Sequence, residues 1–479
     1  MKLIITCIFS LTIGLSCLGQ SKKAINALKT ETATTIQSNY DAYNEMAMTI
    51  WDYAELGFKE EKSSTLLQTT LKNNGFTVES GVAGMPTAFV ATYGSGLPVI
   101  GILAEYDALP GLSQDNSPIK TPNANSINGH ACGHHLFGTG SVAAGIAVKE
   151  LLESGKLKGT IKVFGCPAEE GGSGKVYMVR EGLFNNVDAV LHWHPSDDNL
   201  VTNSSSLANI SAKFRFYGKA SHAAGSPEKG RSALDAVEAM NNMVNMMREH
   251  VPQETRIHYV ITNGGKAPNV VPEFAEVYYY ARHPEKTEVV STFERIKKAA
   301  EGAALGTETT MDYEIIGGVH DLLINKTLAE NMQNNLEKVG GVTYTDTEII
   351  FAQKMQSTFT NKLDAINSVE IVKPLSTAKT LGSTDVGDVS YAIPTVGLRA
   401  ATWVAGTSAH SWQAVASGGT EIGIKGMMVA SKTLAFTAID LFTNPELIQK
   451  AKEEFIQSKG DYKYKSLLGD RAPALNYRD

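Results

Sequence analysis

Between residues 21 and 75 apolar positions recur at helical spacing, as in Met46, Ile50, Tyr53 and Leu56, and predict helices. Residues 99–104, Val-Ile-Gly-Ile-Leu-Ala, have no polar member. That is the pattern of a strand covered on both faces. Residues 141–152 read as a helix. Residues 161–165, 187–193 and 395–398 read as further strands. Strands alternating with helices predict an α/β layer fold with a mainly parallel sheet.

The pattern changes near residue 208. Ala212, Phe214 and Phe216 alternate with Lys213, Arg215 and Tyr217, so this strand has one wet face. A helix with Leu234, Val237, Met240, Val244 and Met247 on one side follows. Strand-like runs at 257–261 and 274–281, a helix at 289–305 and a strand at 311–316 complete the unit. Strand–helix–strand–strand–helix–strand is a split-βαβ, ferredoxin-like insert. The expected boundaries are 20–207 and 323–479 for two parts of one α/β domain, with the smaller α+β domain at 208–322. A polar helix and tail after Asn444, with Tyr462 to Tyr464, carry no assigned role.

At ~150 residues per domain, 479 residues exceed one ordinary domain. Hydrophobic residues at 43% and charged residues at 19% exclude wholesale disorder. The net charge of −7 and the lack of long basic runs argue against nucleic acid as the main partner. Residues 1–19 stand apart. Lys2, the apolar run 3–18 and a small-residue exit near Gly19 read as a secretory signal. The protein is therefore expected to be exported, periplasmic or secreted. Lipidation at Cys17, with membrane contact, is the alternative. No later stretch is expected to span a bilayer. Past the signal only Cys132 and Cys166 remain, too few for a disulfide framework. They either pair or at least one does chemistry.

The densest cluster is Asn128-Gly129-His130-Ala131-Cys132-Gly133-His134-His135. Thiolate and imidazole suit zinc and other borderline divalent metals, and glycine lets the backbone bring both to one ion. Cys166-Pro167-Ala168-Glu169-Glu170-Gly171-Gly172 places two carboxylates just after a strand. The carboxyl ends of strands are where open α/β sheets bind ligands. Adjacent side chains diverge, so one carboxylate can hold a metal while its neighbour acts as general base. His192 and His194 share one face of the next strand. His410 lies in a later loop, Gly406-Thr407-Ser408-Ala409-His410. Asp107 and Asp385 suit either of two roles, orienting ligand histidines or capping a helix or turn.

These motifs, in this order, resemble the metal-dependent amidohydrolase, aminoacylase and carboxypeptidase family (metallopeptidase family 20). They come nearest its branch of indole-acetyl-amino-acid hydrolases and aminobenzoyl-glutamate hydrolases of the B-subunit type. Ala104-Glu105-Tyr106-Asp107-Ala108-Leu109-Pro110, His130-Ala131-Cys132-Gly133-His134, Pro167-Ala168-Glu169-Glu170-Gly171, Ser221-His222-Ala223-Ala224 and Asn269-Val270-Val271-Pro272 carry the likeness. It spans about residues 30–440.

The resemblance implies a di-metal peptidase-like catalytic domain with a lid and dimerisation insert. Cys132 bridges two divalent metals, zinc or manganese. His134, Glu170, His194 and His410 complete the sites, with His192 the rival of His194. Where the family has Asp after Cys-Gly-His, this chain has His135. Glu169 is the general base. His222 polarises the scissile carbonyl, often in the partner subunit. Asn269 and Arg282 grip a substrate carboxylate. The implied reaction is hydrolysis of the amide in an N-acyl or N-aroyl amino acid, by a homodimer or with a related, non-identical subunit. Two other classes stay open. One is a thiol hydrolase using Cys132. The other is a non-catalytic binding protein of the same fold.

Overall fold

The computed structural model describes residues 21–478 apart from 125, 361, 362, 376 and 378–380. The signal segment with Cys7 and Cys17 lies outside the described residues. The N-terminal region is three helices, Lys22–Ser38, Tyr40–Tyr53 and Glu61–Asn73. Met46 and Ile50 enter the core, whereas Leu56 lies past the helix end. Ala54 adopts a left-handed φ of 41° and stops the second helix there.

The main sheet has seven strands in the order β1-β2-β4-β3-β5-β11-β6. They are β1 (Thr77–Ser80), β2 (Phe89–Ser95), β3 (Val99–Ala104), β4 (Gly159–Gly165), β5 (Ala189–Ser196), β6 (Leu200–Val201) and β11 (Thr395–Ala401). The central four, β4-β3-β5-β11, are parallel. β1, β2 and β6 join antiparallel at the edges. All six residues of β3 are buried, as their unbroken apolar run requires.

The helix expected to start near residue 141 starts at His134 and runs to Glu153. Its first turns contain Gly138 and Gly140, which disguise it as a loop. Their reason is close approach: a Cβ on Gly138 would lie 2.6 Å from the Glu105 carbonyl oxygen. Gly133, with φ of 75°, turns the chain into this helix.

The second sheet comprises β7 (Ala208–Tyr217), β8 (Arg256–Asn263), β9 (Phe274–His283) and β10 (Thr310–Val319). Its order is β10-β7-β9-β8, all antiparallel. Helices Ala233–Met247 and Lys286–Gly306 cover one face and share a separate core with Phe214, Phe216, Tyr279 and Phe293. Each such side chain contributes about 1.5–3 kcal/mol by leaving water. Helix Glu421–Thr443 corrects one sequence expectation. By length and composition it is apolar enough to cross a membrane, yet 89% of its apolar window is buried. It packs against helices His134–Glu153 and Lys22–Ser38.

Candidate metal and catalytic site

The carboxyl ends of β3, β4, β5 and β11 bring the sequence motifs to one place. Glu105 and Asp107 follow β3. Asp107 Oδ1 accepts a hydrogen bond from His134 Nδ1 at 2.9 Å, and its Oδ2 accepts from the Glu170 amide at 2.9 Å. One buried carboxylate thus sets both the His134 ring and the turn carrying Glu170. That turn needs unusual backbone: Ala168 has φ of 56° and Gly171 of 97°. Glu60 Oε1 accepts from the Ala168 amide at 2.8 Å and holds the strained residue in place.

Two donor groups share Cys132. Cys132, His134 and His194 form one, and Cys132, Glu170 and His410 the other. Within each, the ligand atoms lie within 4.8 Å of one another. His194 Nε2 is 3.4 Å from the Cys132 sulfur, and its Nδ1 faces the Pro195 carbonyl at 2.7 Å. His410 Nε2 is 3.1 Å from Glu170 Oε1. His192 joins neither group. It shares a face with His194 but lies two residues deeper in β5, where its ring presses on Gly397 of β11; a Cβ there would sit 2.2 Å away. His135 is buried beside His130 and contacts the Gly418 carbonyl at 3.1 Å.

The donors suit a divalent cation. Glu170 Oε1, His134 Nε2 and Glu105 Oε2 are buried and make no well-formed hydrogen bond among the described residues; each only faces an ionisable atom of the same cluster at 3.1 Å. Buried polar atoms rarely stay so, and a shared cation satisfies them. Burial, then the Glu170 carboxylate, pushes the Cys132 thiol up. A thiol nucleophile needs the opposite shift, whereas a cation provides it by taking the thiolate. Cys132 and Cys166 are both free, so they do not pair. Burial, then the Glu105 and Glu170 charges, raises the Glu169 carboxyl well above the usual range. A proton carrier near neutral pH needs a shift in that direction.

Asp385 meets no histidine among the described residues. Its Oδ1 is 2.7 Å from Lys175 Nζ, and its Oδ2 accepts from the Lys175 amide at 2.9 Å. Lys175 Nζ is also 2.6 Å from Glu105 Oε1. The cluster reaches His134 only through Glu105, whose Oε2 lies 3.1 Å from His134 Nε2. Sequence reasoning missed Lys175 and Glu105. The available signal was a lysine in an otherwise apolar stretch, Val176-Tyr177-Met178-Val179 following it.

A cavity of about 560 Å³ opens over the donors and extends under the second sheet. This is an ordinary size for a small-molecule site. Glu169, Arg282 and Arg399 line it. The Arg282 guanidinium lies over the Tyr280 ring at 5.2 Å, and its Nε is buried without a hydrogen-bond partner among the described residues. Arg399, paired in register with His194, was also missed; it is the one charge within β11. His222 and Asn269 lie outside this cavity. Both are exposed and adjacent: the Ala223 amide donates to the Asn269 carbonyl at 3.0 Å.

A mixed α/β fold with a mainly parallel sheet and paired donor groups sharing one thiol, beside a carboxylate of raised pKa, defines a metal-dependent peptidase-type hydrolase. A sequence profile of the peptidase family M20/M25/M40 matches residues 101–414, and the chain belongs to that family. It is a hydrolase acting on amide bonds, and the family is metal-dependent. The chain is 42% identical over 449 residues to the B-subunit of p-aminobenzoyl-glutamate hydrolase from Escherichia coli (strain K12), covering 88% of this chain and 93% of that one. It is 29% identical to Xaa-Arg dipeptidase of Mus musculus, covering 91% and 94%. Among solved structures it resembles an aminobenzoyl-glutamate utilization protein from Klebsiella pneumoniae (TM-score 0.60, 18% identity, covering 85% and 97%). A dinuclear metal-binding M20 peptidase from Bacillus subtilis shares the fold at a TM-score of 0.57 (17% identity, covering 85% and 99%).

Proposed function

We propose that this chain hydrolyses the amide of N-acyl or N-aroyl amino acids whose leaving part is acidic, of the p-aminobenzoyl-glutamate type. The observation that carries the reading is the pair of donor groups sharing Cys132, with Glu169 beside them in a cavity that also holds Arg282 and Arg399. Cys132, His134 and His194 would hold one divalent cation, and Cys132, Glu170 and His410 the other, zinc or manganese. Bound there, the cations supply positive charge that acidifies water and polarises the scissile carbonyl. Glu169 takes the proton of the attacking water and returns it to the leaving nitrogen. Arg282 and Arg399 receive carboxylates, because a guanidinium matches a carboxylate with paired bonds.

The arginines also favour an acidic over a basic leaving group. Three of the four acidic side chains lining the cavity are engaged, Glu105 and Asp385 by Lys175 and Glu170 by His410, and the fourth, Glu169, is the proposed base. No ion pair to either arginine is found among the described residues. A cationic substrate side chain would meet like charge.

The insert would act as lid and dimerisation unit. Its outer strand β8 exposes Tyr259, Val260 and Ile261, an unpaired apolar edge suited to a second copy. His222 and Asn269, exposed and outside their own cavity, suit a contribution to the partner's site. Relatives include both the A-type and the B-type chains of aminobenzoyl-glutamate hydrolase, so a related, non-identical chain is the alternative partner. An exported location rests on the segment 1–19, and a mature start near residue 20 in secreted protein would support it.

The test is hydrolysis of p-aminobenzoyl-glutamate, hippurate and a dipeptide ending in Arg. Each is assayed as isolated, after chelation, and after adding zinc or manganese. The expected result is cleavage of the acidic substrate, lost to the chelator and restored by one metal. Activity that survives chelation favours the thiol reading instead. Tight binding without turnover, with metal present, favours the binding protein.

A further inference from the structure

The segment after helix Pro445–Lys459 is not a loose tail. It first meets the start of the segment leaving the insert, where Tyr462 Oη lies 2.7 Å from His320 Nε2. Arg471 then donates to the carbonyls of Ile315 and Ile316 in β10, at 2.6 and 2.9 Å. Arg180, ending the short helix after the Glu169-Glu170 turn, donates to the carbonyls of Gly469 and Arg471 at 3.2 and 2.6 Å. The segment thus runs from the insert back to the candidate site.

Its end is specific. Tyr477 Oη donates to the Glu170 carbonyl at 3.0 Å, and Arg478 Nη2 donates to the same oxygen at 2.5 Å. Tyr477 stacks edge-on against Phe58 at 5.7 Å. It fills a slot that only glycine at 57 leaves open, since a Cβ there would sit 2.2 Å from the phenol oxygen. Asp107 holds the amide of Glu170 from the other side. Both peptide groups of this candidate ligand are therefore pinned, one by the site and one by the far end of the chain.

We infer that Tyr477 and Arg478 are positioning residues for Glu170, and that the cation held by Cys132, Glu170 and His410 depends on them. The physical reason is direct. Ala168 and Gly171 are both in left-handed backbone, and the turn's own hydrogen bonds, from the Gly171 amide to the Glu169 carbonyl at 2.7 Å and from the Gly172 amide to the Ala168 carbonyl at 3.0 Å, leave the N–H and C=O of Glu170 to partners outside the turn. Two donors on one carbonyl, one of them charged, fix the origin of the carboxylate side chain. The site formed with His134 and His194 uses no atom of this turn. The inference rests on the metal-dependent reading above.

The experiment uses the full chain with Tyr477→Phe, Arg478→Ala and the double substitution. Bound zinc is counted by equilibrium dialysis against a competing chelator, with kcat and KM measured across free zinc. Thermal melting checks folding. Two ions are expected in the wild type. In the double variant one should bind as before, and the other ~10–100-fold more weakly, the usual effect of losing an outer contact of a metal ligand. Excess zinc should restore kcat with KM unchanged, and Arg478→Lys should recover part of the affinity. Two ions bound at wild-type affinity in the double variant overturn the inference and leave the metal reading intact. A wild type that binds fewer than two ions overturns the reading beneath it. Should the double variant not fold, Tyr477→Phe decides alone, since it removes only a hydroxyl and keeps the ring packed.

Discussion

At the scale of single residues, adjacency hides a division of labour. Glu169 and Glu170 are neighbours, yet Glu170 faces His410 while Glu169 lies close enough to Glu105 and Glu170 to feel their charge. Glu169→Ala should keep both metals and lose turnover by about 10²–10⁴-fold. Glu170→Ala should also lose one metal. Metal analysis beside kcat separates the two, and full activity in the Glu169 variant would remove it from the mechanism. A second residue-scale effect concerns pH. Burial drives His130 down from 6.5 to about 3, with the charge of His134 adding to it. The folded chain keeps this ring neutral where the unfolded chain takes up a proton. Its contribution is therefore complete above pH 6.5 and is lost as pH falls from 6.5 toward 3. In chelator-treated protein the urea midpoint should decline through that window. His130→Gln should flatten the decline; an unchanged slope would assign it to other groups.

At the scale of elements, the site is built where strands end and short turns begin. The helix Gly174–Arg180 is only seven residues long, too short to stand alone. Its anchor is Lys175, fully buried between Glu105 and Asp385. Replacing one member of a buried ion cluster leaves the others uncompensated, at a cost of about 3–5 kcal/mol. Lys175→Met should lower the urea midpoint accordingly and weaken metal binding through Glu105 and His134. A variant as stable as wild type would show that the cluster is dispensable.

At the scale of the whole molecule, the proposed dimer is what would bring His222 and Asn269 to a site. His222 and Asn269 lie outside the cavity that Arg282 and Arg399 line. Val260→Lys on the exposed edge of β8 should shift sedimentation from dimer toward monomer and lower kcat in parallel. Mixing inactive His222→Ala with inactive Glu169→Ala should restore activity, because one mixed site then receives both intact residues. No recovery on mixing would place His222 in its own subunit's site or outside the reaction.

The sequence alone carried the local rules. Apolar continuity marked β3 because a strand covered on both faces has no polar position to spare. Alternation marked β7, whose Phe214 and Phe216 are buried while Lys213 and Arg215 reach outward. The metal-type donors were visible as residue types at short spacing, Cys132 with His134 and Glu169 with Glu170. Helix His134–Glu153 was half hidden, because glycines placed there for close packing look like glycines placed for flexibility. Strand alternation gives His192 and His194 the same face, the family resemblance favoured His194, and depth in the sheet is what sets His194 beside Cys132. Only the tertiary structure brought Lys175 to Glu105 and Asp385, Arg399 to Arg282, and Tyr477 with Arg478 to Glu170. Those partners are up to 308 positions apart, beyond the reach of any local period, and they come from strand ends of the main sheet, from β9 of the second sheet and from the segment after the last helix.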